Sequence, residues 1–232
     1  MALRDEPEGL SLAQIAQRVG LARSTVHRLV ASLEHERFVV AASSSRGFRL
    51  GPALASLAIA AVRDVVVLIH PYLVGLSNEL NETVDFAVLE HDHILFVDQV
   101  AASRRLRAVS AVGTVFPAHC TANGKALLAA RSNEEVERLL PAKLERMTPN
   151  TIVSRTALLA ELERVRKDKI AYDREEHTEG ICAVGTVVAT AGGPLAAVTV
   201  PLPTQRFVGN EKKLIAALLR TRRAIEESLG SP

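Results

Sequence analysis

The chain has little of several residue types that would indicate a particular class of protein. It has no Trp, and aromatic residues make up only 3% of its 232 residues. Two Cys are too few for a disulfide framework. The longest apolar run, at 53–62, is well short of the ~20 residues that a membrane-spanning helix needs. Because the first ten residues also lack the apolar segment of a signal peptide, we expect a cytoplasmic protein.

The net charge is small, but the charged residues are unevenly distributed. The formal net charge of +2 is too small to argue for nucleic acid binding over the whole chain. Between Arg18 and Arg49, however, the sequence has six Arg and only two acids, Glu34 and Glu36. A local basic patch of this kind is typical of a surface that contacts nucleic acid, and also of an ordinary solvated helix face.

Residues 10–35 have the pattern of two helices separated by a short turn. Ser11 and Gln14 fit a capping box at the start of the first helix, and Gly20 is placed to end it. The spacing predicts that the second helix buries Val26, Leu29, Val30 and Leu33. Its other side carries short donors and cations, which suit the major groove of DNA: Arg23, Ser24, Thr25, His27 and Arg28.

The next segment predicts a wing. "FVV" and "FRL" flank the polar "AASSSRG", so we expect a two-stranded hairpin whose loop places Arg46 against the DNA backbone or the minor groove. A compact winged domain normally has a helix before the helix-turn-helix. Only ten residues precede Ser11, and we therefore expect that first helix to be truncated. A small helical domain with ordinary exposed Arg is the alternative.

The rest of the chain predicts a long helix and then an α+β domain. Residues 53–80 indicate a helix, broken or kinked near His70-Pro71, whose apolar residues would be buried against a second subunit. "TVDFAVLE" and "HILFVDQV" predict a hairpin, and "LRAVSAVGTVFPA", "IAYD", "ICAVGTVVAT" and "PLAAVTVPL" predict further strands. Helices are expected at 121–130, 134–139, 156–167 and about 211–229. Hairpins with packed helices imply an α+β fold with a largely antiparallel sheet.

The stretch "PAHCTANGKALLAA", at 117–130, has several chemical interpretations. A phosphate-binding loop would need Gly and Ser or Thr where the chain has His119 and Ala126. Cys120 would be a nucleophile with His119 or His177 as its base, but adjacent residues in an extended segment point opposite ways, and we expect no enzyme. A helix that begins at Thr121 offers free N–H groups to an anion, although Thr121 also fits a simple cap.

Metal binding is also disfavoured by spacing. His and Cys residues are present in and around this stretch, but none forms a Cys-x-x-Cys or His-x-x-x-His pattern. We therefore expect neither a metal nor another cofactor. The residues considered are His91, Asp92, His93, His119, Cys120, His177 and Cys182.

Together these segments resemble the IclR family of bacterial transcriptional regulators. The resemblance is carried, in family order and over almost the whole chain, by "LSLAQIAQRVGLARSTVHRLVASLE", "FRLGP", "NETVDFAVLE", "PAHCTANGKALLA", "MTPNTI" and "YDREEHTEG". It implies a winged helix-turn-helix domain at 1–50, a linker and dimerisation helix at 51–66, and an effector-binding domain with a GAF-like fold at 67–232. It also implies dimers, often paired into tetramers, on palindromic operator DNA, without a membrane partner.

The resemblance also implies where a small organic effector, often a carboxylate or an aromatic acid, would bind. Family contacts come from a helix start, an acid, a Cys on the following strand, and two small hydroxyl residues on the next strand. Carried over, these positions are Ala122, Asn123, Gly124, Asp173, Cys182 or Ala183, and Thr199, with Pro201 in place of the last hydroxyl. Asp173 would accept a hydrogen bond from an effector hydroxyl, or hold the helix N–H groups when the pocket is empty.

The predicted function is a ligand-responsive DNA-binding regulator, either a repressor or an activator. Its effector is expected to be acidic and to change operator binding by the helix-turn-helix. The alternative is an effector-binding module that has lost DNA binding through its short N-terminus.

Overall fold

A computed structural model describes residues 2, 3, 6, 9–42, 47–108, 110–190 and 192–230, with the backbone alone described at 55–63 and 194. The chain divides into one compact unit that ends at Val65 and a second that begins at Val66. Each unit has its own core, and we describe them separately.

The first unit contains the two expected helices and the hairpin. Helix α1 is Leu12–Val19, with the capping box of Ser11 and Gln14 at its start and Gly20, at φ 69°, at its end. Helix α2 is Arg23–His35. Strands β1, Val39–Ala41, and β2, Phe48–Leu50, pair antiparallel. The tip of the predicted wing, with Arg46, lies outside the described residues.

The buried stripe of α2 is narrower than the sequence predicts. Val26 and Val30 are buried in a small core with Ile15 and Val39. Leu29 and Leu33, in contrast, are 51% and 41% exposed, so the prediction that they are buried was wrong. Within this unit, α1 and the hairpin pack against the face of α2 that carries Val26 and Val30 and leave Leu29 and Leu33 exposed.

Helix α3, Ala53–Leu80, runs without a break through Pro71, so the expected break was wrong, while the kink that was its alternative stays a prediction. Proline removes one helical hydrogen bond and crowds the preceding turn. The helix continues because residues on one face, spaced three or four apart, are buried: Ile69, Leu73, Leu76 and Leu80.

A six-stranded sheet forms the centre of the second unit, with the order β5-β4-β3-β8-β7-β6 and every neighbouring pair antiparallel. This confirms the predicted α+β class. The strands are β3, Val84–Glu90; β4, His93–Val100; β5, Val115–Pro117; β6, Ala171–Arg174; β7, Ile181–Thr190; and β8, Gly193–Pro203.

Besides the C-terminal part of α3, five α-helices lie in the described residues of this unit. They are α4, Ala122–Ala129; α5, Asn133–Leu139; α6, Arg155–Asp168; α7, Thr204–Phe207; and α8, Glu211–Ser228. Every residue of α4 is buried, because the helix lies against β7 and β8 on one side and α6 on the other. The sequence did not predict α7, since four residues are too few to show a helical period.

Two glycines allow α4 to approach its neighbours. A Cβ on Gly185 would lie 2.4 Å from Cγ2 of Thr199 and 3.2 Å from the carbonyl carbon of Ala122. A Cβ on Gly124 would lie 2.1 Å from the carbonyl oxygen of Ala118. The start of α4 therefore contacts the sheet at a distance that only glycine permits at these two positions.

Within the residues that the structure describes, no helix combines the length and the apolar character needed to cross a membrane.

Candidate effector site and DNA-facing helix

The start of α4 presents backbone donors. Thr121 is the N-cap, and its Oγ1 accepts a hydrogen bond from the N–H of Gly124 at 3.2 Å. Within the described part of the chain, no protein acceptor is bonded to the N–H of Ala122 or Asn123. These two groups and the positive end of the helix dipole favour a negatively charged or strongly polar occupant.

A cavity of about 310 Å³ lies beside this helix start. Its floor is one face of the sheet, where register places Asp85 beside Thr199, and Ala183 between Asp173 and Pro201. Its other walls come from the helix start, the loop that follows β4 and the segment between β6 and β7. The residues that line it there include Thr121, Ala122, Asn123, Arg107, Ala108, Ser110, His177, Thr178 and Ile181.

Aromatic rings form one wall of the cavity. The rings of Phe116 and His177 are stacked with their centroids 4.0 Å apart, and Phe96 meets Phe116 edge to face at 5.1 Å. Burial lowers the pKa of His177, and the nearby His119 lowers it further, so the ring is neutral at neutral pH. This wall is suited to a flat or apolar part of a ligand.

Two buried carboxyl groups line the cavity. Burial raises the pKa of Asp85 to about 6, although hydrogen bonds from Ser110 and Gln99 partly oppose this. Burial also raises the pKa of Asp173 to about 7, against the opposing hydrogen bond from the N–H of Glu176. Both groups change protonation near physiological pH, so each can serve as a donor or an acceptor.

Five of the seven predicted effector residues line the cavity: Ala122, Asn123, Asp173, Ala183 and Thr199. Pro201, where the family pattern has a hydroxyl residue, also lines it. Asp173 does not hold the N–H groups of α4. Its Oδ1 accepts hydrogen bonds from the N–H of Glu176 at 2.7 Å and of His177 at 3.4 Å, within its own turn.

The other two predicted residues, Gly124 and Cys182, do not line the cavity. Gly124 lies against the backbone of Ala118, and its N–H already bonds to Thr121. Cys182 is one residue from Ala183 on a strand and therefore faces the other side of the sheet. There its Sγ lies 3.4 Å from Oγ1 of Thr204. The geometry thus brings Ala183, rather than Cys182, to the cavity.

Sequence reasoning missed several of the lining residues. Asp85, Phe96 and Phe116 lie in segments that were assigned only as strands. Arg107 and Ser110 lie in the 106–118 segment that the sequence predicted as strand. Of the described residues there, only Val115–Pro117 form a strand, and the prediction was wrong for Arg107 and Ser110, which lie in a loop. Strand β3 offered one signal. A carboxylate, Asp85, between the apolar Val84 and Phe86 of a buried strand is unusual and indicates a site.

The lysine of the Gly-Lys pair in the 117–130 stretch is already ion-paired within the protein. Lys125 is 0% exposed, and its Nζ lies 2.5 Å from Oε1 of Glu176 and 3.6 Å from Oε1 of Glu161. This ion pair accounts for the ammonium group without a phosphate and is consistent with the failed phosphate-loop pattern.

Cys120 and His119 do not form a nucleophile and base pair. Burial raises the pKa of Cys120 to about 12, with the charges of Asp173 and Glu176 acting in the same direction. The Nε2 of His119 lies 2.9 Å from the carbonyl oxygen of Glu145. The thiol is therefore protonated at neutral pH, and its Sγ donates to the carbonyl oxygen of Pro117 at 3.6 Å.

Metal-ligating side chains are not grouped in the described residues, where no three of His, Cys, Asp or Glu could hold a metal ion together. His91-Asp92-His93 lies at the turn between β3 and β4, where Nδ1 of His93 is 2.9 Å from Oδ1 of Asp92.

The N-terminal part of α2 is the candidate DNA-facing surface. Arg23, Ser24, Thr25, His27 and Arg28 are all exposed on it. The N-cap, Ala22, makes no side-chain cap, in contrast to the full capping box of α1. The first N–H groups of α2 are therefore open to an external acceptor, such as a phosphate oxygen.

Comparison with known proteins places both units in one family. A family model described as the C-terminal domain of bacterial IclR transcriptional regulators matches residues 57–227. A second, described as the IclR helix-turn-helix domain, matches residues 1–42. The chain is 52% identical over 217 residues to the HTH-type transcriptional regulator Rv1719 of Mycobacterium tuberculosis, covering 94% of this chain and 84% of that protein.

A second relative and a solved structure support the same family. The HTH-type transcriptional regulator TtgV of Pseudomonas putida is 41% identical over 229 residues, which cover 99% of this chain and 88% of that protein. The crystal structure of the Thermotoga maritima IclR superposes with a TM-score of 0.69 at 26% identity, covering 97% of this chain and 93% of that one.

Proposed function

The chain belongs to the IclR family of bacterial transcriptional regulators, and we propose that the cavity beside α4 is the effector site through which its DNA binding is controlled. It is a ligand-responsive regulator with a helix-turn-helix domain. The observation that carries the proposed site is the pair of unpartnered N–H groups, those of Ala122 and Asn123, at the edge of a cavity of about 310 Å³.

The lining indicates the kind of effector that would fit. An acidic group is received by the N–H groups of Ala122 and Asn123. Arg107 is the one Lys or Arg among the described residues that line the cavity, and it adds a positive charge. A hydroxyl group donates to Asp85 or Asp173, and Phe96 and Phe116 contact the apolar part. The volume is at the lower end of ligand pockets, which favours a molecule of one or two rings.

DNA is contacted by the exposed residues of α2, namely Arg23, Ser24, Thr25, His27 and Arg28, and by Arg46 of the wing. The uncapped start of α2 supports this because its N–H groups suit phosphate oxygens. The chain is a regulator of the cytoplasm rather than an enzyme. The pKa of about 12 for Cys120 and the backbone hydrogen bond of His119 support the second part of this proposal, because they argue against an activated thiol.

Residues 1–50 are the DNA-binding domain, 51–66 the linker, and 67–232 the effector domain. Dimerisation involves α3, on which Val67 and Leu68 are 67% and 46% exposed although both are large and apolar. Light scattering tests the dimer or tetramer. Val67→Asp is expected to lower the mass in solution, and Asp64→Ala, at another exposed position, is its control.

Thermal-shift screening tests the effector site, because a ligand that binds only the folded state raises the melting temperature. Benzoate and 4-hydroxybenzoate are compared with benzyl alcohol and with aliphatic acids. We expect Thr199→Val to reduce the shift caused by an active ligand. Thr186→Val, also in a buried position of the sheet but outside the cavity, is expected to leave it unchanged.

Operator binding is then measured by fluorescence anisotropy with and without the active ligand, using DNA from upstream of the gene. A change in affinity supports the regulator. Ligand binding without any DNA binding would favour the alternative, an effector module alone. A thermal shift that Thr199→Val leaves untouched would contradict the proposed site.

A further inference from the structure

Lys125 is the one lysine of α4, and its side chain is completely buried without reaching the effector cavity. Its ammonium group contacts two carboxylates, Glu176 at 2.5 Å and Glu161 at 3.6 Å. Ala and Leu make up most of the rest of this helix. A buried ion pair is often less stable than apolar residues of similar size, so stability alone does not account for a lysine here.

Glu176 lies in the 175–180 turn, which joins β6 to β7. Three other hydrogen bonds fix its backbone: Oγ1 of Thr151 and Oγ1 of Thr148 donate to its carbonyl oxygen at 2.7 Å and 3.3 Å, and its N–H donates to Asp173 at 2.7 Å. Together with the end of β6, this turn carries Asp173, His177 and Thr178 to the cavity. The position of Glu176 therefore determines the position of one cavity wall.

The carboxylate of Glu176 depends on Lys125 for its charge partner. Its Oε2 is buried and has no hydrogen-bond partner among the described residues. Burial raises the pKa of Glu176, and the charge of Lys125 opposes this. The other donor to this carboxylate among the described residues is the N–H of Arg174 on β6, at 3.5 Å, so Lys125 is the group that ties the side chain to α4.

Lys125 thus joins two walls that meet the same cavity. The helix of Lys125 supplies Ala122 and Asn123, about one turn earlier, to the cavity wall. The turn that contains Glu176 supplies His177. We propose that Lys125 is a positioning residue for the effector site. The bond from its Nζ to Glu176 sets the separation between the start of α4 and the 175–180 turn, and thereby the affinity for the effector. This inference rests on the proposed function, because it concerns the same cavity.

The test uses the full chain and separates positioning from simple stability. Lys125→Met leaves the buried Glu176 without a cation, whereas Glu161 keeps its ion pair with Arg164, so the single variant is expected to destabilise the fold through Glu176. The double variant Lys125→Met with Glu176→Met replaces the closer pair by apolar side chains and is expected to recover stability. Arg166→Met is the control, because Arg166 holds the other end of α4 through the carbonyl oxygens of Ala129 and Arg131.

Binding of 4-hydroxybenzoate and benzoate is measured by calorimetry. The double variant is expected to bind at least ten-fold more weakly than the native chain while unfolding at the same urea concentration. Arg166→Met is expected to bind with native affinity. Native affinity in a stable double variant would overturn the inference, whereas failure of the native chain to bind either acid would count against the proposed function instead.

A second measurement needs no ligand. The ring of His177 is stacked on that of Phe116, so its proton resonances carry a ring-current shift that depends on the position of the turn. They are assigned with His177→Gln. We expect these resonances to move in the double variant and to stay in place in Arg166→Met. If they keep their native positions in the double variant, Lys125 does not position this wall.

Discussion

The backbone of Gly124 lies against that of Ala118 so closely that a Cβ on residue 124 would be 2.1 Å from the carbonyl oxygen of Ala118. The neighbouring atom belongs to the main chain and cannot rotate away. We expect Gly124→Ala to lower the free energy of unfolding by about 3 kcal/mol or more, because the turn at Ala118–Cys120 must move.

Gly75 provides the matched control. It lies inside α3, and a Cβ there would meet no atom within 4 Å. Gly75→Ala is expected to stabilise the protein by about 0.5–1 kcal/mol, the helix propensity difference. Urea unfolding of both variants checks the pair. If Gly124→Ala and Gly75→Ala changed the free energy of unfolding equally, the close contact with Ala118 would not control stability at residue 124.

The buried carboxyl of Asp173 makes stability depend on pH. Because folding raises its pKa from 3.8 to about 7, the folded state holds this proton where the unfolded state has lost it. The associated stability is fully present below pH 4 and is lost as the pH rises through about 7. Asp173→Asn cannot lose a proton and keeps an oxygen that accepts from the N–H of Glu176. The stability of the variant relative to the native chain should therefore increase between pH 5 and pH 8.

The gain should amount to a few kcal/mol at most, since each pKa unit corresponds to about 1.4 kcal/mol. Urea titrations at pH 5 and pH 8 measure it, with Asp168→Asn as the exposed control. A stability difference between Asp173→Asn and the native chain that is the same at both pH values would exclude a raised pKa at Asp173.

Glu82 and Glu79 allow a comparison of two ion pairs that differ in burial. Arg206 donates to both oxygens of the buried Glu82, from Nε at 2.6 Å and from Nη2 at 2.8 Å. Arg220 contacts Glu79 at 2.6 Å in an exposed position. We expect Glu82→Ala to cost about 3 kcal/mol, because it strands a partly buried guanidinium. Glu79→Ala is expected to cost under about 1 kcal/mol.

Thermal and urea unfolding of these two alanine variants provide the measurement. The nitrogen to oxygen distances are nearly the same, so a difference between the variants reports burial rather than length. If both cost the same, the bidentate pair does not anchor the segment around Leu106, whose carbonyl oxygen also accepts from Arg206.

Arg28 is expected to contact DNA phosphate or a base edge from α2. Each phosphate contact contributes about one unit to the slope of log affinity against log salt. Arg28→Gln should therefore weaken operator binding and reduce this slope by about one. Arg164→Gln, an exposed arginine of α6, is the control. An unchanged slope in Arg28→Gln would remove Arg28 from the phosphate contacts.

Much of the fold could be predicted because its determinants are local. The capping box of Ser11, the alternation of β4, and the helical period of α6 each lie within one short segment. Leu29 and Leu33 were mispredicted because burial depends on what the rest of the unit covers, which the period of one helix does not reveal. Pro71 was overestimated as a breaker, since packing of Ile69 and Leu73 outweighs its local cost.

The cavity was less predictable because residues far apart in sequence assemble it. Register decides that Ala183 faces it and Cys182 does not, and a one-residue difference on a strand reverses the side. Arg107 carries no local motif, and Asp85 is marked only by its place between two buried apolar residues. The ion pair of Lys125 joins positions 51 residues apart, so only the fold reveals that the "GK" of the stretch is an internal salt bridge.

The two edges of the large sheet are short. On one side β5 has three residues and ends in Pro117, and on the other β6 has four. Short edges that include a proline offer few free backbone groups to an incoming strand. The edge strands themselves therefore give a copy of this chain little backbone to pair with, which disfavours both the extension of the sheet into a continuous ribbon and strand-mediated aggregation.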